Sequence, residues 1–248
     1  MPGTTVLGCR VDAAGIDEAV TRIVELGHSA APSAVVTLGT EMVVRATRDA
    51  RFRAVLNASA LSLCDTVGVL YAARAKGVRL AGRVTGVDLL DPLCAALARE
   101  GLAVYFLGGK GDTAAKAAAA LGSRHPGLRI AGARDGYFGA AQDAEVAAAI
   151  AATGARVLLV GLGSPRQELW VADHLPKTGC AVGIGVGGSF DVLAGNVERA
   201  PEIWRRLNLE WLYRLIKEPW RWRRQLALPE FVWLAVRERF SGHEGTTA

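Results

Sequence analysis

A mainly parallel, helix-covered α/β sheet followed by a basic, tryptophan-rich helical appendage is the fold that this 248-residue sequence predicts. Three observations carry it. Short aliphatic runs alternate with helix-length, alanine-rich stretches. Those runs are apolar at successive positions, as strands covered on both faces require. Charge and tryptophan content both change near residue 199.

Strands are expected at Ala34–Leu38, Ala60–Cys64, Ala103–Leu107, Leu128–Ala131, Val157–Gly161 and Ala181–Val186. Between most of them lie helical stretches: Glu41–Leu56, Gly86–Arg99, Asp112–Leu121 and Gln142–Ala152. Strand–helix–strand repetition of this kind belongs to an open Rossmann-like sheet. Residues 1–198 are expected to form this α/β body and residues 199–248 a helical, membrane-associating appendage whose removal leaves the body folded.

With 51% apolar and 21% charged residues, the chain is neither disordered nor fibrous. At this length about three quarters of the unfolded surface is buried, enough for a core without staples. Cys9, Cys64, Cys94 and Cys180 form no CxxC pair and read as free thiols of a reducing compartment. The opening MPGTTVLGCRVD has no basic segment before an apolar run, so no signal peptide is expected. No run approaches the length of a membrane span.

Residues 1–198 carry 19 Lys/Arg against 18 Asp/Glu, whereas residues 199–248 carry 10 against 6. Five of the six tryptophans (Trp204, Trp211, Trp220, Trp222, Trp233) lie in that last segment. A near-neutral body with a basic tail points to an anionic partner met at a surface. Tryptophan beside arginine suits a lipid headgroup interface, with nucleic acid as the competing reading. Within Glu202–Glu218 the residues Trp204, Leu207, Trp211 and Leu215 recur at helical spacing, with Arg206, Glu210 and Lys217 opposite. One amphipathic helix ended by Pro219 is expected, then a short apolar helix from Pro229 to Phe240.

Several motifs admit two readings. Gly183-Ile-Gly-Val-Gly-Gly188 satisfies GxGxxG after a strand, but the acidic residue expected at the end of a second strand is missing. A nicotinamide-dependent oxidoreductase is therefore the alternative reading. Gly108-Gly109-Lys110-Gly111 is a glycine turn before a helix, either a plain connection or a phosphate cradle helped by Lys110. Ser164, Pro165 and Gln167 read as N-cap, first helical residue and capping-box partner, which leaves Arg166 unexplained. Thr85 to Asp88 also reads as a cap, while Arg83 before it is either a solvated arginine or an anion contact.

Thr37 and Asp65 close two expected strands, where ligands of parallel sheets sit. Asp65 is either a general base or the N-cap of a helix starting near Val67. No DxD, HxH or HExxH pattern occurs, and the four histidines are scattered. Neither a metal-centred mechanism nor a resident cofactor is expected. A serine hydrolase of the GxSxG class is disfavoured as well.

Five blocks in order resemble the WecG/TagA/CpsF family of bacterial glycosyltransferases (glycosyltransferase family 26). They are FLGGK (Phe106–Lys110), GYF (Gly136–Phe138), VGLGSPRQELW (Val160–Trp170), GIGVGGSFDVLAG (Gly183–Gly195) and RAPEIWRRLNLEWLYRLIKEPWR (Arg199–Arg221). The resemblance implies metal-independent, inverting transfer of an N-acetylmannosamine-like sugar from a UDP-sugar to a polyprenyl-diphosphate-linked sugar. It implies work on the inner face of the plasma membrane, as a peripheral protein on an anionic surface, in wall polysaccharide such as teichoic acid. It implies no nucleic-acid partner and leaves a homo-oligomer open.

By the same resemblance Asp65 is the catalytic base and Thr37 assists it. Arg83, Tyr137, Gln167 and Asp191 surround the nucleotide-sugar, and Arg214, Arg221 and Arg224 complete the site beside the membrane; Gly109 and Lys110 are read from their glycine turn as further stabilisers of the departing diphosphate. Two positions depart from the family pattern: Gly39 replaces a frequent Asn, and Thr66 a frequent Gly. The chemistry needs a base for the acceptor hydroxyl and cations for the departing diphosphate, and these residues supply both.

Overall fold

A computed structural model describes residues 3–217, 219, 222 and 226–241. The chain opens with a small antiparallel hairpin, β1 (Gly3–Val6) and β2 (Cys9–Asp12), which the sequence reading did not foresee. Its two-residue turn is Leu7-Gly8, both at positive φ (50° and 79°), a backbone whose twist matches that of the flanking strands. The other strands are β3 (Ser33–Leu38), β4 (Leu61–Cys64), β5 (Val104–Gly108), β6 (Ile130–Arg134), β7 (Val157–Gly161) and β8 (Val182–Gly185). They form one six-stranded sheet in the order β4-β3-β8-β7-β5-β6, parallel throughout, as expected for this class.

Helices cover both faces. Beneath one face lie α1 (Ile16–His28), α5 (Gly86–Glu100), α6 (Thr113–Arg124) and α9 (Ser189–Leu193), sharing a core with Val104, Phe106, Val157, Leu159 and Ile184. On the other face lie α2 (Thr40–Arg48), α3 (Ala50–Asn57) and α4 (Val67–Ala75), packed with Val36 and Leu38. Beside them, α7 (Asp143–Ala151) and α8 (Arg166–His174) pack with Tyr105, Leu107, Leu158 and Val160. Successive side chains of each central strand thus feed opposite cores, which is why the strands read as continuous apolar runs.

The expected helix 41–56 is two helices. Asp49 interrupts it in extended conformation (φ −125°, ψ 94°) and accepts a hydrogen bond from the Phe52 N–H at 2.9 Å, so it caps α3. All four cysteines are free and buried.

The tail also differs from its expected single helix. It forms α10 (Glu202–Arg206) and α11 (Glu210–Lys217), broken at Asn208, whose φ of 60° is left-handed. The break resets the helical phase, so Glu210, expected on the solvated face, is buried instead. Helix α12 (Ala227–Ser241) then returns over α2 and α4. Its Phe231 is 3% exposed within the core of that layer, against Gly68. Glu238 of α12 binds Lys76 at 2.8 Å and accepts from the Leu7 N–H, while Glu230 pairs with Arg48. At the expected boundary Arg199 pairs with Asp88 at the start of α5, and Ala200 is buried.

Because Phe231 fills a site within the body's own core, Phe231→Ala is expected to cost about 3–5 kcal/mol. Denaturant unfolding of the full chain measures this. A loss under about 1 kcal/mol would mean that α12 rests on the body without belonging to its core.

Candidate active site

In a parallel sheet every strand ends on the same side, and the helix after each strand begins there. The ends of β3, β4, β5, β7 and β8 border one cleft of about 760 Å³. It is lined by the first turns of α2 (Thr40, Glu41, Met42), α4 (Val67, Gly68), α5 (Gly86, Val87) and α8 (Arg166, Gln167). Each helix of this length carries about half a positive elementary charge at its N-terminus. Before any side chain is counted, the cleft favours an anion.

The floor is made of backbone. A Cβ on Gly108 would lie 2.4 Å from the carbonyl carbon and oxygen of Gly161, and Gly108 has φ of 139°. Only glycine lets β5 and β7 converge there. The Gly109 N–H donates to Gly161 O (3.1 Å), and the Gly136 N–H donates to Gly109 O (2.8 Å). Arg166 continues the chain, donating to Gly136 O (2.8 Å) and Phe138 O (2.7 Å) with its guanidinium 4.6 Å from the Phe138 ring centre. The arginine left unexplained by the sequence therefore secures the loop that presents Tyr137, which is 75% exposed.

Thr37, Asp65, Arg83, Gly109, Lys110, Tyr137, Gln167 and Asp191 all line this cleft. Thr37 donates its hydroxyl to Gly185 O at 3.0 Å, which leaves the oxygen lone pairs available to a ligand. Asp65 follows β4, and its N–H donates to Leu38 O (3.1 Å), which fixes the carboxylate beside β3. Thr66, not Asp65, stands at the N-cap position of α4, and its hydroxyl is engaged with Thr40 Oγ1 at 2.8 Å. Asp65 Oδ2 lies 3.8 Å from the point a Cβ on Gly39 would occupy, and Thr66 Cγ2 3.5 Å from it. The two positions that depart from the family pattern are thus neighbours at the base of the cleft. Cys64 is no rival nucleophile: burial first, then the Asp65 charge, pushes its thiol up to about 12.

Gln167 is not a capping-box partner. The peptide bond before Pro165 is cis, α8 starts at Arg166, and Gln167 turns inward. Its Oε1 accepts from the Gly187 N–H (3.1 Å) and its Nε2 donates to Glu168 Oε1 (2.7 Å). A Cβ on Gly185 would sit 2.7 Å from that Nε2, and one on Gly183 3.0 Å from Leu175 and Val171. These two glycines of the GxGxxG run are accounted for by the packing of α8 on β8, with no dinucleotide needed.

Sequence reasoning missed Glu168, which is 4% exposed with Oε2 lacking a hydrogen-bond partner, and Glu210, Trp211 and Leu228, which line the cleft from the tail. The only signal for Glu168 was an acid between inward-facing Gln167 and Trp170. For the tail residues there was none once the helix was read as unbroken. Arg221 and Arg224 lie outside the described residues, as does the side chain of Arg214, whose backbone is in α11. Among the described residues no three His, Cys, Asp or Glu side chains gather as a metal ion would require.

Fold and cleft together define a doubly wound α/β protein with a cleft ringed by helix N-termini over its strand ends. Residues 4–245 match the model of the Glycosyl transferase WecG/TagA/CpsF family, and the chain belongs to that family of glycosyltransferases. It is 37% identical over 203 residues to an N-acetylglucosaminyldiphosphoundecaprenol N-acetyl-beta-D-mannosaminyltransferase of Bacillus subtilis (strain 168), covering 82% of this chain and 78% of that one. A protein of the same name from Bacillus spizizenii (strain ATCC 23059 / NRRL B-14472 / W23) is 37% identical over 198 residues, covering 80% and 76%.

Burial holds the Glu168 carboxyl above its ordinary range, partly offset by hydrogen bonds from Gln167 and Ser164. The folded state therefore favours the protonated form, and stability falls as pH rises from the ordinary carboxyl pKa toward the raised one. Glu168→Gln removes that penalty while keeping the shape. Its melting temperature relative to wild type is expected to rise between pH 4 and pH 8, measured by thermal scans. A constant difference across that range would place the Glu168 carboxyl at its ordinary value.

Proposed function

We propose that this glycosyltransferase moves N-acetylmannosamine, or a sugar close to it, from a UDP-sugar to a polyprenyl-diphosphate-linked N-acetylglucosamine, with inversion at the anomeric centre. The carrying observation is the placement of Asp65 in one cleft with Arg83, Lys110 and several helix N-termini. The names of the Bacillus relatives supply the acceptor and the transferred sugar.

Asp65 takes the proton of the attacking hydroxyl, and the glycosidic bond to UDP breaks on the opposite face of the sugar. Thr37, on the neighbouring strand, positions the acceptor hydroxyl. The leaving diphosphate gathers negative charge, which Lys110, Arg83 and the helix N-termini are placed to meet without a metal ion. Tyr137 offers its ring to the base of the nucleotide, while Asp191 addresses the donor sugar and Gln167 holds the Gly187 loop beside it. Arg214, Arg221 and Arg224 add cations from the tail.

The protein works at an anionic membrane surface, on its cytoplasmic side. No helix among the described residues is long and apolar enough to cross a membrane. Instead the tail exposes Ile203, Leu207, Ile216, Trp222, Leu226, Val232, Trp233 and Val236. Arg237 sits 5.5 Å from the Trp233 ring centre, a cation and an interfacial aromatic side by side. Each Lys or Arg near such a surface contributes about 1 kcal/mol, and the apolar groups add to it. Trp233→Ser with Val236→Ser is expected to weaken sedimentation with anionic vesicles several-fold without changing the melting temperature. Unchanged sedimentation would remove α12 from the membrane surface.

Asp65→Asn keeps the shape of the side chain but cannot accept a proton. Turnover is expected to fall about 10²–10⁴-fold with UDP affinity nearly intact, measured by product analysis and calorimetry. More than half of wild-type turnover in a normally folded variant would end the general-base assignment.

A further inference from the structure

A second concavity, of about 370 Å³, begins one residue from the cleft-lining Arg83. It is lined by Leu70, Tyr71, Arg74, Arg79, Leu80 and Gly82. Its volume is within the range of small-molecule sites. Leu70 and Leu80 are half-buried against the core of the α4 layer, and Tyr71 is 57% exposed. Arg74 and Arg79 are exposed, and neither makes a hydrogen bond or ion pair with any described residue. Nearby Lys76, by contrast, is engaged with Thr5 O and Glu238. The groove is therefore amphiphilic: an apolar floor beside two guanidinium groups that no described side chain engages.

Its position gives that chemistry a direction. Leu70 lies on the first turn of α4, which begins two residues after Asp65. From there to Arg74 the helix rises by about 6 Å. An acceptor hydroxyl at Asp65 belongs to a sugar joined directly to a diphosphate, and α4, which starts beside Asp65, is a wall along which the hydrocarbon can leave the cleft. Helix α12, packed along α4, turns Val232, Trp233 and Val236 outward nearby.

We propose that this groove holds the first isoprene units of the lipid-linked acceptor, with Arg74 and Arg79 at its rim facing the diphosphate. The inference rests on the acceptor reading above and adds to it a binding site for the chain. Guanidinium groups suit a diphosphate because they offer planar, paired donors, and the leucines and Tyr71 bury hydrocarbon.

The test uses the full chain and a fluorescent farnesyl diphosphate, followed by anisotropy. Wild type is compared with the double variant Arg74→Ala, Arg79→Ala and with Leu80→Ser. The double variant alters only exposed side chains and is expected to keep the melting temperature and UDP affinity of wild type. Farnesyl diphosphate affinity should fall at least tenfold in both variants. In transfer assays KM for a polyprenyl-linked acceptor should rise by a similar factor at unchanged kcat, and KM for an acceptor lacking both the diphosphate and the isoprene units should stay within twofold.

Equal probe affinity in all three proteins would overturn the proposal. So would full displacement of the probe by inorganic diphosphate, which would mark a phosphate site, or by phosphatidylglycerol vesicles, which would mark a general lipid contact. Probe binding lost in the variants, with no sugar transfer even by wild type, would support the groove and overturn the transferase reading alone.

Discussion

The approach of β5 to β7 at Gly108 and Gly161 is the constraint on which the site depends. Nothing larger than hydrogen fits at Gly108, because a Cβ there would be 2.4 Å from the neighbouring carbonyl. With the two strand ends that close, the Gly109 N–H reaches Gly161 O, and the Gly136 N–H reaches Gly109 O. Backbone hydrogen bonds thereby join loops from β5, β6 and β7 into one surface, and Arg166 closes it by holding the carbonyls on either side of Tyr137. This is also where the winding of the sheet reverses: β5 leads outward to β6, while β7 leads inward to β8. A crevice at such a point is where open α/β sheets bind their ligands.

The electrostatics follow from the same geometry. Parallel strands place four helix N-termini of at least eight residues around one cleft, and Lys110 and Arg83 add full charges. A dianionic leaving group in that position meets fixed dipoles that need no rearrangement during reaction. Beside the cleft, burial penalises a charge on the Glu168 carboxyl and holds it above its ordinary range. Glu168 accepts from Gln167, and Gln167 in turn holds the Gly187 N–H at the rim. One buried pair thus couples the loop after β7 to the loop after β8.

What could be read from the sequence was whatever depends on short-range pattern. All six strands of the sheet lay within a few residues of their expected limits, because burial on both faces leaves an apolar run in every strand but the exposed edge strand β6. Eight proposed site residues meet in one cleft because parallel topology sends every strand end to the same side. The failures have a common physical source, a backbone torsion that residue type does not announce. Leu7 at positive φ makes a hairpin, Asn208 at positive φ breaks a helix, and an extended Asp49 divides another. At the start of α8 Pro165 stands at the N-cap with no side-chain capping bond, and Gln167 is a buried strut instead of a capping-box partner. Reading the tail as one helix made Glu210 look solvated, when the break at Asn208 turns it toward the cleft.

That last displacement changes how the tail relates to chemistry. Glu210 and Trp211 from α11 and Leu228 from α12 are part of the cleft wall, while Ile216, Val232, Trp233 and Val236 of the same helices face outward. Inner and outer faces are separated by a single helix thickness, and α12 is anchored to the body through Phe231, Glu230 and Glu238. A force on the outer face is therefore borne by residues that border the cleft. On the function proposed above, a lipid-linked acceptor presents its sugar at the bilayer surface, and a wall built from helices that seek that surface would place Asp65 where that sugar is found. Asp65 gains this placement with no moving part beyond the packing already seen between α12, α2 and α4.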